Sequence, residues 1–127
     1  MEQIIAKNNF VSLATQTIEK KIMLETYNLD MFANDLFMSK SKLTKKIKLS
    51  TGLTPTEFSR NIKFNYAFRL FKETDLSIKE IAYSSGFNDP KYFTRCFKRA
   101  YGMSPKEYKS SRSNGGLGYM WFNFNMN

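Results

Sequence analysis

Apolar side chains recur at helical spacing along most of the chain. The clearest pairs lie four residues apart, Leu43 with Ile47 and Phe93 with Phe97, so that each pair occupies one face of a helix. No segment alternates between apolar and polar residues as a strand would, apart from a short aromatic stretch near the C-terminus. The pattern predicts an all-α protein with seven helices, at about residues 9–25, 29–36, 40–50, 55–73, 77–84, 90–100 and 105–111.

The predicted helix boundaries carry clear capping signals. Gly52 and Gly102 stand where the preceding helices need a left-handed residue to end. Three helices begin with a Ser or Thr that is followed three residues later by Glu, the pattern of a capping box. These segments are Thr54-Pro55-Thr56-Glu57, Ser77-Ile78-Lys79-Glu80 and Ser104-Pro105-Lys106-Glu107.

The chain repeats itself at an offset of 50 residues. The segment 41–58, SKLTKKIKLSTGLTPTEF, matches the segment 91–108, KYFTRCFKRAYGMSPKEY, in its glycine, proline, glutamate and several basic positions. Upstream the offset becomes 49 and pairs Ser39 with Asn88, so the second copy carries one extra residue near Asp89-Pro90. Two copies are too few for a solenoid and instead predict two similar helical units.

Each unit is predicted to form a helix-turn-helix motif. A short helix, a tight turn and a second helix with a basic outer face follow one another in both copies. The predicted linking helix at 55–73 would span about 28 Å, close to the roughly 34 Å between successive major grooves on one face of DNA. Along it, Phe58, Ile62, Tyr66 and Leu70 recur every four residues and are expected in the core.

Composition adds a strong positive charge to this picture. The 127 residues include 20 Lys+Arg against 11 Asp+Glu, for a net charge of +9, and no histidine. The densest basic run lies between Lys40 and Lys48, in the second half of the first predicted unit. Such a charge indicates a polyanionic binding partner. Nucleic acid is the first candidate and an acidic membrane surface is the second. The sequence contains no run of about 18 apolar residues, so it predicts no transmembrane helix. No membrane partner is expected.

The outer faces of the two second helices supply candidate DNA contacts. Lys45 and Arg95 are the strongest candidates for reading bases, because they share one repeat position and an arginine can bind guanine bidentately. For any single lysine, a merely solvated side chain is the alternative. The predicted base contacts are Ser41, Thr44, Lys45, Lys91, Thr94 and Arg95, and the predicted phosphate contacts are Lys40, Lys48, Lys98 and Arg99.

The segment IKEIAYSSGFNDPKYFTRCFKRAYGMSPKEYK, residues 78–109, resembles the second helix-turn-helix of the AraC/XylS family of bacterial transcription regulators. The resemblance covers about 29–111, and Phe64 and Ala67 resemble that family's Leu and Ala positions on the linking helix. Phe37 stands where the family has a turn glycine, which predicts a distorted or differently packed first turn. The resemblance implies two helix-turn-helix subdomains that bind promoter DNA in the cytoplasm, as an activator that contacts RNA polymerase.

The predicted organisation is an entry segment with the first helix at 1–28, the double helix-turn-helix at 29–111 and a tail at 112–127. Residues 1–28 are too short for the domain that senses a ligand or accepts a phosphoryl signal in the family's larger members. The favoured interpretation is therefore the C-terminal output domain of a larger, two-component-type regulator, with a stand-alone short member as the alternative. The tail is chargeless and rich in Gly and aromatics, and its role stays open.

Two other classes of function remain as alternatives. A non-specific nucleic-acid-binding or architectural protein would share the charge but not the need for two spaced units. An enzyme, for instance a DNA-repair alkyl acceptor using Cys96, would need an activating base, and the chain has no histidine. We therefore predict no enzyme activity, no cofactor and no metal. Cys96 is expected to be partly exposed, since its repeat partner is Lys46.

Overall fold

The computed structural model describes residues 2–22 and 27–112, with side chains described from residue 9 to 111 outside that gap. These residues form seven helices and no strand, which confirms the all-α prediction. The helices are α1 (Glu2–Lys20), α2 (Leu29–Asp35), α3 (Lys40–Thr51), α4 (Pro55–Glu73), α5 (Ile78–Ser84), α6 (Pro90–Tyr101) and α7 (Pro105–Arg112). The predicted tail falls largely at 113–127, outside the described residues.

Only the first helix departs clearly from the predicted bounds. It begins at Glu2 rather than at 9 and ends at Lys20 rather than at 25. The chain turns at Lys21-Ile22, where the two backbone N–H groups donate to Ile18 O and Glu19 O, three residues earlier, and Ile22 is 8% exposed. The sequence carries no Gly, Pro or capping residue at this point, and the early end was therefore missed.

All three predicted capping boxes are formed. In the α4 box the backbone N–H of Glu57 donates to Thr54 Oγ1 at 3.1 Å, and the Thr54 N–H donates to Glu57 Oε1 at 2.9 Å. The boxes at Ser77–Glu80 and Ser104–Glu107 repeat both hydrogen bonds. Because each carboxylate accepts a backbone N–H, the pKa of all three glutamates lies below its ordinary value.

The described residues divide into two compact units between Lys63 and Phe64. In the first unit α1 packs against both α2 and α3. Helix α1 contributes Phe10, Ala14 and Ile18 to the core of this unit. Their four-residue spacing puts all three on one side of the helix. The buried cluster of this unit is Phe10, Ala14, Ile18, Phe32, Ala33, Leu36, Leu43, Ile47, Phe58 and Ile62.

The second unit has a core made mainly of aromatic rings. Phe97 lies at its centre and is fully buried, with ring centroids of six other aromatic residues within 6.1 Å. Tilted and edge-to-face arrangements predominate among these contacts, as the ring quadrupole favours. The buried cluster is Phe64, Ala67, Phe68, Phe71, Ile81, Ala82, Phe87, Phe93, Cys96, Phe97, Tyr101 and Tyr108.

Two expectations about buried positions are wrong. Cys96 is only 9% exposed and belongs to the second core, because it lies three residues after Phe93 at the edge of the apolar face of α6. On α4, Phe58 and Ile62 are buried as predicted and Leu70 is half-buried against the second core, whereas Tyr66 is half-buried and belongs to neither buried cluster. A strict four-residue spacing drifts about 40° around a helix at each step, so four such positions do not share one face. The second half of α4 buries Phe64, Ala67, Phe68 and Phe71.

The first turn keeps its regular geometry without a glycine. Phe37 adopts a left-handed φ of 57°, and Gly86, its counterpart in the second unit, has a φ of 90°. The hydrogen bonds also correspond, since Phe37 N–H donates to Asn34 O and Gly86 N–H donates to Tyr83 O, both at 3.0 Å. The expected distortion of this turn is therefore wrong. The phenylalanine ring is accommodated because it is 96% exposed.

We expect the Phe37→Gly substitution to stabilise the protein by about 1 kcal/mol. A side chain in the left-handed region costs about 1–2 kcal/mol, and the entropy of a glycine in the unfolded chain offsets part of the gain. The exposed ring loses little packing when it is removed. Urea denaturation followed by circular dichroism measures the change. Gly86→Ala is the matched control and should destabilise; a loss of stability in Phe37→Gly would show that the ring is needed for the turn.

Candidate nucleic-acid interface

Helix α3 presents a polar and basic face to solvent. Leu43 and Ile47 are fully buried and hold α3 on the core of the first unit, as predicted. The helix starts at Ser39, whose Oγ accepts the backbone N–H of Lys42 at 3.1 Å. The predicted contacts on its outer face, which are all exposed and follow the helical spacing i, i+3, i+4 and i+7, are Ser41, Thr44, Lys45 and Lys48.

Three lysines around this face have partners within the first unit. Lys40 Nζ lies 3.2 Å from Asp30 Oδ1, and both side chains are more than half exposed. Lys48 Nζ donates to the Gly52 carbonyl at 3.1 Å, across the end of α3. Lys46 Nζ lies 4.8 Å from the centroid of the Phe10 ring on α1. None of these contacts was predicted. Those of Lys40 and Lys46 join two helices, and the sequence does not show which helices pack side by side.

Helix α6 repeats the arrangement in the second unit. Phe93 and Phe97 are fully buried as predicted, and Asp89 Oδ1 accepts the Lys91 N–H at 2.9 Å. Asp89 rather than Asn88 is thus the counterpart of Ser39, and the extra residue lies before the N-cap. On the outer face Thr94 is half-buried, and the exposed predicted contacts are Lys91, Arg95, Lys98 and Arg99.

An aromatic ring lies beside Arg95. The Arg95 guanidinium carbon is 5.6 Å from the centroid of the Tyr92 ring, one helical turn earlier on α6. Tyr92 is 40% exposed, and its contact with Arg95 places it beside the predicted base contacts. Tyr92 was missing from the predicted site. The signal available in the sequence was an aromatic residue three positions before an arginine on a helix.

The charge of both outer faces is positive. Helix α3 contains five lysines and α6 contains Lys91, Arg95, Lys98 and Arg99, and neither helix includes an acidic residue. Basic helices of this kind attract the phosphate backbone of nucleic acid. Among the described residues, no helix is long and apolar enough to span a membrane.

Comparison with known proteins places this arrangement among helix-turn-helix proteins. A family model described as a helix-turn-helix domain matches residues 32–111, which include α3 and α6. Histidine kinase P4 from Formosa agariphila is 31% identical over 112 residues, which make up 88% of this chain and 8% of the kinase. The transcriptional activator RhaS from Escherichia coli is 31% identical over 85 residues, which are 67% of this chain and 31% of RhaS.

A solved structure shows the same fold. The C-terminal domain of AraT, a response regulator from Geobacillus stearothermophilus, matches with a TM-score of 0.72 and 32% sequence identity. The match covers 80% of this chain and 84% of that domain. The match thus covers most of both this chain and that C-terminal domain, whereas the chain spans less than a third of the curated relatives.

Proposed function

The chain belongs to the AraC/XylS family of helix-turn-helix transcription regulators, and from this we propose how its two basic helices read DNA. The family and the fold are those of sequence-specific DNA-binding domains and not of enzymes. In our proposal α3 and α6 are recognition helices that enter adjacent major grooves of promoter DNA. The observation that supports it most is that both helices carry polar or basic residues at the same four repeat positions of their outer faces.

Base reading is assigned to the first two turns of each recognition helix. Arg95 binds a guanine through O6 and N7, and Lys45 reaches the same atoms from α3. The hydroxyls of Ser and Thr donate to or accept from several bases and are therefore more permissive. The proposed base contacts are Ser41, Thr44, Lys45, Lys91, Thr94 and Arg95.

Phosphate binding is assigned to lysines and an arginine at the ends of the same helices. These contacts supply affinity and register but do not select a sequence. Lys48 can bind a phosphate while it donates to the Gly52 carbonyl, because an ammonium group has three N–H donors. Lys40 would exchange Asp30 for a phosphate at little cost, since an exposed ion pair contributes about 0–1 kcal/mol. The proposed phosphate contacts are Lys40, Lys48, Lys98 and Arg99.

The match to a histidine kinase and to a response-regulator domain supports a place in two-component signalling. We propose that this chain acts as the C-terminal output domain of a larger regulator, in the cytoplasm. A domain outside this chain would then sense the ligand or phosphoryl signal. Contact with RNA polymerase and activation of transcription are part of the same proposal.

Selection of bound sequences from random duplexes tests the proposed function. We expect two short motifs about 10–10.5 base pairs apart, one for each recognition helix, and an affinity that falls steeply with salt. Scrambled duplex, single-stranded DNA and double-stranded RNA serve as competitors. Equal binding of selected and scrambled duplexes at near-physiological salt would favour the non-specific alternative. A single enriched motif would contradict the use of both helices.

A further inference from the structure

A line of aromatic contacts connects the core of the second unit to Arg95. Phe87 is 5% exposed and packs against Phe93, with 5.0 Å between their ring centroids. The Tyr92 ring lies 6.3 Å from Phe87 on the solvent side, tilted by 46°. The Arg95 guanidinium in turn lies 5.6 Å from Tyr92, within the range of a cation–π interaction. The exposed guanidinium of Arg95 thus contacts a tyrosine ring that itself packs against the buried ring of Phe87.

Among the described residues of the first unit, the corresponding positions form no such line. The repeat positions that correspond to Phe87, Tyr92 and Arg95 carry Met38, Lys42 and Lys45. Lys42 and Lys45 lie one turn apart on α3 and carry the same charge, so Lys42 repels Lys45 where Tyr92 attracts Arg95. A lysine is also a flexible point charge, whereas the planar guanidinium of arginine recognises a guanine edge with a fixed geometry.

We propose that Tyr92 is a positioning residue that determines the base specificity of Arg95. This inference rests on the proposed function, in which Arg95 reads a base in the major groove. The tyrosine face restricts the rotamers of the free arginine, so less side-chain entropy is lost when both guanidinium hydrogen bonds to the base form. Both helices still read bases, but discrimination is then stronger at the base pair read by Arg95 than at the one read by Lys45.

A double-mutant cycle with Tyr92→Leu and Arg95→Ala tests the inference. The probes are the duplex selected by the wild-type chain, single base-pair variants of it and a scrambled duplex. Tyr92→Leu should lower discrimination at the base pair read by Arg95 by about two- to fivefold and leave the affinity for scrambled duplex unchanged. Tyr92→Phe keeps the ring and should retain most of the discrimination. In the Arg95→Ala background, Tyr92→Leu should have no further effect.

The controls separate positioning from folding. Tyr83 on α5 is 44% exposed, similar to Tyr92, so Tyr83→Leu controls for loss of an exposed ring and should leave base discrimination unchanged. Thermal unfolding verifies that each variant folds, and Tyr92→Met replaces the leucine variant if that variant melts early.

Several results would overturn the inference. One is that Tyr92→Leu weakens binding to the selected and the scrambled duplex equally. Another is that Tyr92→Leu lowers base discrimination as much in the Arg95→Ala background as in the wild-type chain. A third is that Tyr92→Phe matches Tyr92→Leu, which would assign the effect to the hydroxyl group. If Arg95→Ala relaxes discrimination and Tyr92→Leu does not, only this inference fails. If Arg95→Ala leaves discrimination intact, the base contact in the proposed function fails and the inference fails with it.

Discussion

Phe97→Ala is expected to destabilise the second unit by about 3–5 kcal/mol, which is the cost of truncating a fully buried phenylalanine. The ring lies 4.7 Å from Tyr101 and 5.5 Å from Phe68, so its removal leaves a cavity lined by aromatic faces that cannot collapse easily. The loss is comparable to the whole stability of many small domains. Urea denaturation followed by far-UV circular dichroism measures it.

Two further variants show whether the aromatic cluster causes this loss. Tyr83→Ala removes a ring that is 44% exposed and should cost well under 1 kcal/mol. Ile47→Ala, at the equivalent repeat position of the first unit, should cost about 2–5 kcal/mol, since an aliphatic side chain is removed there. If Phe97→Ala unfolds no more easily than Tyr83→Ala, the aromatic cluster does not hold the second unit together.

Arg95→Ala is expected to remove about 1–3 kcal/mol of discrimination at one base pair of the selected duplex. The physical reason is the loss of two parallel hydrogen bonds to guanine O6 and N7, which no other base offers in the same arrangement. Binding to duplexes already altered at that base pair should change little. Competition titrations with a panel of single base-pair variants measure the effect position by position.

A comparison with exposed lysines completes this experiment. Lys98→Ala should weaken all duplexes alike and reduce the slope of log affinity against log salt by about 1, since it removes a phosphate contact. Lys79 on α5 is exposed and lies outside both recognition helices, so Lys79→Ala controls for the loss of one positive charge. A uniform loss of affinity in Arg95→Ala would instead assign Arg95 to the phosphate backbone.

Most of the fold was predictable because its signals are local. The capping boxes and the glycines Gly52 and Gly102 mark helix ends within a few residues of sequence, and the four-residue spacing of apolar pairs such as Leu43 and Ile47 identifies the buried side of each helix. The end of α1 could not be predicted in this way. There the sequence has no glycine, proline or capping residue, so no local signal marks the turn at Lys21-Ile22.

The exposure of the site residues other than the half-buried Thr94 was also predictable, but their contacts were not. Helical periodicity placed Lys45 and Arg95 on the outer faces, where the structure has them. The ion pair of Lys40 with Asp30 joins two helices, and periodicity within one helix gives no information about it. Phe37 shows a different limit: an unfavourable residue in a left-handed position is tolerated when the rest of the turn determines the backbone.

The packing of α1 has a consequence for where this domain can be cut. The family match begins at residue 32, but Phe10, Ala14 and Ile18 complete the core on which α3 rests. A fragment trimmed to the family match would expose the apolar surface that these three side chains cover, and such surface promotes aggregation. The boundary of sequence similarity and the boundary of the first unit's core therefore differ here by at least the length of one helix.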